Sequence, residues 1–540
     1  MKIDCPIEKI AQESPQAIFL INRDTTHTYF DLYTHIVYAT SLLQHRYMQK
    51  QDNIPTVIAI KGTDPWIVSI GIFACARCQI TLAIVSDTDP NITNVLENIG
   101  VAWMEEDLLE KIQQYAYPAM DTKDHHTTDP YTTDPYTKDP LEKIAKKDHP
   151  EKITATYTQL DMDIPCTMLF TSGSSSAPKA VVHSLGNHLS SAKFSQQNIA
   201  YTTGDRWLLS LSLWHIGGLA ILFRSIVGTA TAVITENIPM IEKILQYNIT
   251  HISLVAVQLE DILHAIQEKI TTKDHHEKIT LTDRYDRQIQ TKDPYTKDPL
   301  EKIARKDHPE KITTTNPIHP IPLKAVLVGG GYTPIRLLER ALALQLPIHT
   351  TYGMTELASQ LSCTSPNSPL PILSSCGSPL GDWSIHISPS GEILVQGSPL
   401  FLGYYDGKKI TRPSMDGYFP TNDRGYIENN RLYLTGRMDK MFISGGENIH
   451  PEEIEGWLHR HCSCAIVVPI DHERYGKRPV AFIHQPQKTS LEFREYLLEH
   501  LAKFKVPDHF YLWPSDIPLI KPPRKILEQL AQQGIVRTID

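Results

Sequence analysis

Cysteine is scarce, with eight in 540 residues, too few for a disulfide scaffold. Cys75-x-x-Cys78 and Cys462-x-Cys464 have no second CxxC and no spaced histidine pair beside them, so buried, inert thiols are expected rather than metal or redox chemistry. An excess of basic residues is also missing. Lysine and arginine number 52 against 61 acidic residues, a net charge of −9, which argues against a general nucleic-acid-binding surface. Long hydrophobic runs are absent too. The longest uncharged stretch in an apolar region, Trp207 to Phe223, has 17 residues, contains His215 and is closed by Arg206 and Arg224. A membrane span needs about 20 apolar residues, so a buried segment is expected there. The opening MKIDCPIEKIAQES has neither a basic-then-apolar layout nor a small-residue cleavage site, and the expected location is cytoplasmic.

Glycine is short at the most suggestive place. Residues 171–180, TSGSSSAPKA, follow the apolar run Met168-Leu169-Phe170 and contain one glycine. They do not form a Walker A loop: Pro178 stands where its second glycine would fall, and Lys179 is followed by Ala180 instead of Ser or Thr. Hydroxyls and backbone N–H groups at Thr171, Ser172, Ser174, Ser175 and Ser176 can still donate to phosphate oxygens, with Lys179 as a point charge. A plain serine-rich surface loop has the same appearance.

At 41% apolar residues the chain can build two or more domains with substantial cores. Two segments differ in texture. LEKIAKKDHPEKIT at 141–154 recurs as LEKIARKDHPEKIT at 300–313, each after Asp-Pro-Tyr-Thr units. Polar and proline-punctuated, they are expected to be solvated insertions at about 121–156 and 271–316; a metal site from His125, His126, His275 and His276 is the alternative. Without them 458 residues remain. These alternate strand-like runs (PTVIAIKG, TMLFTSG, RWLLSLSL, ITHISLVAV, LKAVLVGGG) with helical spacing (EEIEGWLHRHC, LEFREYLLEHLAKF). The alternation predicts an α/β fold with mostly parallel sheets flanked by helices. A turn-rich section, GSPLGDWSIHISPSGEILVQGSPLFLGYYDG, predicts a small β-rich subdomain. After GRMDK the texture becomes that of a small α+β unit, giving expected domains 1–438 and 439–540.

Downstream of the serine-rich loop stand TTYGMTELASQ (350–360), YFPTNDRGYI (418–427), LTGRMDKMFISGGENIHPEEIE (434–455) and IPLIKPPRKIL (517–527). In this order and spacing they resemble the signature motifs of the adenylate-forming superfamily of acyl-CoA synthetases, adenylation domains and luciferases. The resemblance implies that a carboxylate is joined to the α-phosphate of ATP with Mg²⁺, and that coenzyme A then displaces AMP. It implies that Thr171, Ser172, Gly173, Ser174, Ser175 and Lys179 hold the triphosphate. Tyr352 would stack on adenine, Thr355 touch the α-phosphate and Glu356 hold Mg²⁺. Asp423 would bind the ribose hydroxyls, and Arg437 support the nucleotide. Lys521 would stabilise the adenylation transition state, with Arg524 as its motif partner. The C-terminal domain would be mobile, rotating about Asp439 to present Ser444, Gly445 and Gly446 to the thiol.

Within the superfamily, RWLLSLSLWHIGGLAILFRSI, KAVVHS, LKAVLVGGG and the short IKxxR ending resemble the 2-succinylbenzoate–CoA ligases of menaquinone biosynthesis. That likeness implies an acyl pocket lined by His215, Arg224 and Gly353, with His215 also counted among the catalytic residues beside Lys521, Thr355 and Glu356. Arg224 would grip the aromatic carboxylate in a bidentate way that lysine cannot reproduce. Ser176 departs from the glycine usual in the superfamily, which requires a backbone conformation not restricted to glycine. Other readings are a different aryl- or acyl-CoA ligase, a carrier-protein-loading enzyme, and a non-catalytic nucleotide-binding homologue. Partners would be small molecules; a homo-oligomer is left open.

Overall fold

A computed structural model describes residues 1–23, 25–48, 56–116, 159–171, 178–235, 238–273, 321–331, 333–519 and 522–540. The two insertions expected at 121–156 and 271–316, the loop residues 172–177 and Lys521 therefore lie wholly or almost wholly outside the described residues.

Two large sheets carry the N-terminal part. The nine-stranded sheet runs, edge to edge, through Ser378–Pro379, Ser359–Cys363, Ile348–Met354, Ala325–Val328, His251–Leu254, Arg206–Leu208, Thr231–Ile234, Ile18–Asn22 and Thr25–Thr28. Its central pairings are parallel and its margins antiparallel. The seven-stranded sheet is parallel around Val57–Lys61, Thr81–Val85 and Pro165–Thr171, then antiparallel through Lys179–Ser184 and Gly403–Tyr405. The parallel strands read as unbroken apolar runs, such as VIAI and TLAIV, because both faces are covered. Helix Pro65–Arg77 is buried almost all round, with Asp64 accepting from the N–H groups of Trp66 and Ile67 at its N-terminus.

The expected α/β class is present, with two local differences. RWLLSLSL forms a strand only over Arg206–Leu208, because the chain then turns toward the helix Ile216–Gly228. The uncharged run Trp207–Phe223 is thus divided between a strand and a helix, and among the described residues no helix is long and apolar enough to cross a membrane. In the turn-rich section, Ser384–Ile387 and Glu392–Gln396 join a four-stranded antiparallel sheet with Phe419–Glu428 and Arg431–Arg437, but Gly403–Tyr405 pairs with Lys179–Ser184 in the seven-stranded sheet. Its edge pairing to Lys179–Ser184 becomes part of the site below.

Residues 442–540 hold a five-stranded sheet with two apolar clusters of their own, one around Ile454, Phe493 and Phe510 and the other around Val480, Phe482 and Leu527. Six of the eight cysteines are buried free thiols, and Cys376 and Cys464 are half-buried. Burial pushes the Cys78 thiol up to about 12 and Cys75 well above its ordinary value, which leaves both unreactive.

Candidate active site

Four strands frame the centre: β1 (Pro165–Thr171), β2 (Lys179–Ser184), β3 (Ile348–Met354) and β4 (Ser359–Cys363). Beside them run β5 (Gly403–Tyr405), β6 (Phe419–Glu428) and β7 (Arg431–Arg437). Strands β1 and β2 form an antiparallel hairpin whose last pair is Thr171 opposite Lys179. The serine-rich segment therefore returns into a strand, unlike a Walker A loop, which enters a helix. Its residues Ser172, Gly173, Ser174 and Ser175 lie outside the described residues. The Lys179 ammonium sits 5.1 Å from the centroid of the Tyr404 ring.

Glu356 lies in a single 3₁₀ turn, Thr355–Leu357, directly after β3. It is only 6% exposed. Its Oε1 accepts a 2.8 Å hydrogen bond from the Tyr404 hydroxyl, and its carbonyl accepts from Phe401 N–H. Among the described residues no hydrogen-bond partner is found for Oε2. A buried carboxylate with one oxygen left open suits Mg²⁺, which takes one or two carboxylates plus phosphate and water. Gly353 has to be glycine, because a Cβ there would lie 1.6 Å from the Ser359 carbonyl oxygen.

Asp423 and Arg437 face each other in the β6–β7 pairing. Arg437 Nη1 is 3.2 Å from Asp423 Oδ1, while its Nε donates to Asp439 at 2.9 Å. Asp423 Oδ2 accepts a 2.6 Å bond from the Tyr352 hydroxyl. Burial raises the Asp423 pKa above its ordinary value, with Arg437 and Tyr352 pulling the other way. Burial alone would lower that of Arg437, but Asp439 and Asp423 outweigh it and hold the guanidinium charged. The Asp423 carboxylate is thus oriented from both sides and keeps lone pairs for further donors. The Tyr352 ring is buried, and its hydroxyl serves to position Asp423.

Arg224 lies in α2 (Ile216–Gly228), preceded in the chain by α1 (Leu185–Asn198). It is 2% exposed. Its guanidinium lies 4.9 Å over the Trp207 ring and donates to Ser359 Oγ at 3.1 Å and Gln360 Oε1 at 2.9 Å. No carboxylate pairs with it among the described residues. Gln360 is itself fixed, donating through Nε2 to Thr351 Oγ1 at 3.0 Å. Since β4 pairs with β3 at Gly353–Gln360 and Met354–Ser359, Arg224 grips the strand that adjoins Thr355 and Glu356. His215 is the exposed N-cap of α2. Nine positions at ~1.5 Å each put its backbone ~13 Å from that of Arg224, so the two residues mark different ends of the helix.

Strand β8 (Phe442–Ser444) and β9 (Glu447–Ile449) form a hairpin closed by Gly445 and Gly446, with φ of +59° and +90°. Two consecutive positive φ values explain the glycine pair. The tip is exposed while Ser444 is buried, its Oγ 3.4 Å from Arg478 Nη1. Asp439 occupies the short turn Met438–Lys440 between β7 and β8. Further along the chain lie the helices α3 (Pro451–Leu458) and α4 (Arg524–Gln532). Arg524 opens α4 and turns inward, Nη1 lying 2.8 Å from Glu455 Oε1 and donating to the Val467 carbonyl at 2.9 Å. It anchors the start of α4.

Sequence reasoning passed over four residues: Tyr404, Gln360, His183 and His188. Gln360 and His183 stood inside motifs already singled out, yet only the strand register brings them to Arg224 and Thr355. His183 Nε2 lies 2.8 Å from the Thr355 carbonyl oxygen, and His188 Nε2 lies 2.6 Å from Thr167 Oγ1. The His188 ring stacks on Phe223, next to Arg224, at 4.3 Å. Burial lowers the His183 pKa to about 4, and it does the same to His459 in the C-terminal part. Both imidazoles are neutral in the fold but bind a proton in the unfolded chain below about 6.5. Stability is therefore full above that pH and falls as pH drops toward 4, by ~3 kcal/mol for each histidine. Thermal melts from pH 8 to 4 should show this decline, and His183→Gln should flatten it; an unchanged slope in the variant would contradict the assignment.

Residues 7–405 match the family of AMP-binding enzymes. The 2-succinylbenzoate–CoA ligase of Bacillus subtilis (strain 168) is 30% identical over 387 residues, 69% of this chain and 69% of its own. The o-succinylbenzoate CoA synthetase of Bacillus subtilis, solved with its acyl-adenylate intermediate, superposes with a TM-score of 0.71 at 24% identity, covering 98% of both chains. Solved with ATP and magnesium ion, it gives 0.69 at 24% identity over 96% of this chain and 97% of that one.

Proposed function

The chain belongs to the AMP-binding enzyme family, and from that premise we propose that it is a 2-succinylbenzoate–CoA ligase of menaquinone biosynthesis. One oxygen of the aliphatic carboxylate attacks the α-phosphorus of ATP, and pyrophosphate leaves. The coenzyme A thiol, its proton released to solvent, then attacks the acyl carbonyl and expels AMP. Bound Mg²⁺ would screen phosphate charge, and Glu356 is the carboxylate that would hold it.

The observation that carries the substrate assignment is Arg224. A buried guanidinium that among the described residues is held by neutral oxygens and an aromatic face alone has unused capacity for an anion, and 2-succinylbenzoate brings a second carboxylate that is not activated. A fatty acid has no group to meet it. Burial lowers the Arg224 pKa from its ordinary value, the direction expected of a cation that lacks a counter-charge.

Thr355 would touch the α-phosphate, its backbone fixed by His183. Asp423 would take the ribose hydroxyls with Arg437 and Tyr352 holding it in place, and Thr171 and Lys179 would flank the triphosphate. Gly353 would leave room at the acyl group, and His215 would stand at the pocket mouth. Residues 439–540 would form the mobile domain, turning at Asp439 to bring Ser444, Gly445 and Gly446 to the thiol. The location proposed is the cytoplasm, where ATP and coenzyme A are available.

Pyrophosphate release over a carboxylate panel tests the substrate. Expected is kcat/KM for 2-succinylbenzoate at least ~10²-fold above benzoate, short-chain and long-chain acids, the discrimination a site gains from a group its competitors lack. Comparable turnover of a long-chain acid would sink the assignment and leave an acyl-CoA ligase of other specificity.

A further inference from the structure

Tyr404 sits between two groups that the proposed chemistry uses separately. It lies on β5, opposite Val181 of β2, on the face that Val181 shares with Lys179 two residues earlier. Its ring carries the Lys179 ammonium at 5.1 Å, within the range of a cation–π contact. Its hydroxyl donates to Glu356 Oε1 at 2.8 Å. The ring meets Phe401 edge-on at 4.9 Å, and Phe401 meets Phe419 in the same way at 5.0 Å. Phe401 N–H also donates to the Glu356 carbonyl at 2.9 Å. Backbone and side chain of Glu356 are therefore both tied to the Phe401–Tyr404 segment, across 48 residues of sequence.

We infer that Tyr404 is a positioning residue that sets the spacing between the metal carboxylate Glu356 and the phosphate cation Lys179. The inference rests on reading Glu356 and Lys179 in those two roles. Facing a carboxylate oxygen, which can only accept, the hydroxyl is the donor of the pair. It occupies one oxygen of Glu356 and leaves the other to face a metal. The ring holds the ammonium near that carboxylate without neutralising it, as a direct lysine–glutamate ion pair would.

Two variants separate the two contacts. Tyr404→Phe keeps the ring and loses the hydroxyl; Tyr404→Leu loses both. ATP binding by calorimetry, with Mg²⁺ and in EDTA, and Mn²⁺ binding in the presence of ATP by electron paramagnetic resonance read them apart from turnover. Tyr404→Phe should bind ATP in EDTA like the parent but bind Mn²⁺ about ten-fold more weakly, the scale of one charge-assisted hydrogen bond. Tyr404→Leu should in addition bind ATP about five-fold more weakly in EDTA, as Lys179 loses its ring. The KM for 2-succinylbenzoate should be unmoved in Tyr404→Phe. Parental Mn²⁺ binding by Tyr404→Phe, with Glu356→Gln impaired, would overturn the role of Tyr404 alone. Parental Mn²⁺ binding by Glu356→Gln would remove the metal role of Glu356 and the inference with it.

Discussion

Lys521→Ala should lower acyl-adenylate formation by at least ~10²–10³-fold, the loss seen when a preorganised transition-state donor is removed. Thioester formation from supplied acyl-adenylate and coenzyme A should keep most of the parental rate. As the carboxylate attacks, negative charge is shared among the attacking oxygen, the α-phosphate and the departing pyrophosphate. A cation delivered to that region stabilises the transition state more than the ground state. The second half-reaction expels AMP from an acyl carbon and gives the same cation no comparable role. The motif arginine explains how delivery can be reproducible. Arg524 is clamped to Glu455 and the Val467 carbonyl inside the C-terminal sheet layer, so the helix it opens is fixed to that unit. Arg524→Ala should consequently depress both half-reactions and the melting temperature, because it leaves the nearly buried Glu455 without its cation. Equal loss of both half-reactions in Lys521→Ala would refute the two-state use of the C-terminal domain.

The parts of the site legible in the sequence were those concentrated in short motifs. Thr355 and Glu356 follow a strand, Asp423 lies in one strand of a hairpin and Arg437 in the other, and Gly445–Gly446 closes a turn; each needs only local geometry. Contacts fixed by register across sheets were hidden. Tyr404 reaches Glu356 because Gly403–Tyr405 leaves the small β subdomain and pairs with β2. Gln360 reaches Arg224, 136 residues away in sequence, because a bulge between Tyr352 and Gly353 shifts the pairing of β3 with β4. His183 and His188 lie in an apolar setting where a histidine is as easily a satisfied core residue as a functional one. The fold followed the same division. Alternating strands and helices gave the α/β class, but the antiparallel margins that hold most of the site depend on which strand edge each segment finds. Arg524 shows the reverse case: it belongs to a recognisable motif, yet its structural job was invisible until Glu455 and Val467 were placed around it.

Arg224→Ala should raise the KM for 2-succinylbenzoate by about 10²-fold, since truncating one partner of a buried charge pair costs 2–5 kcal/mol. The same substitution should change the KM for 4-oxo-4-phenylbutanoate, which lacks the ring carboxylate, only a few-fold. The second substrate is needed because Arg224 also braces Ser359 and Gln360, next to the turn that carries Thr355 and Glu356. A bracing role alone would damage both substrates alike and would lower kcat by displacing that turn. A carboxylate grip damages one substrate and appears in KM. Arg224→Lys separates charge from geometry: a point charge on a flexible stem restores part of the attraction but not the bidentate fork, so its KM should lie between the parent and Arg224→Ala. Ligand-induced stabilisation gives a readout free of turnover. In the parent, 2-succinylbenzoate should supply the counter-charge that the guanidinium lacks among the described residues and so raise the melting temperature by mass action; in Arg224→Ala that rise should vanish at the same concentration. An intact rise, or equal losses for both substrates, would return Arg224 to a structural role and remove the main support for a dicarboxylate substrate.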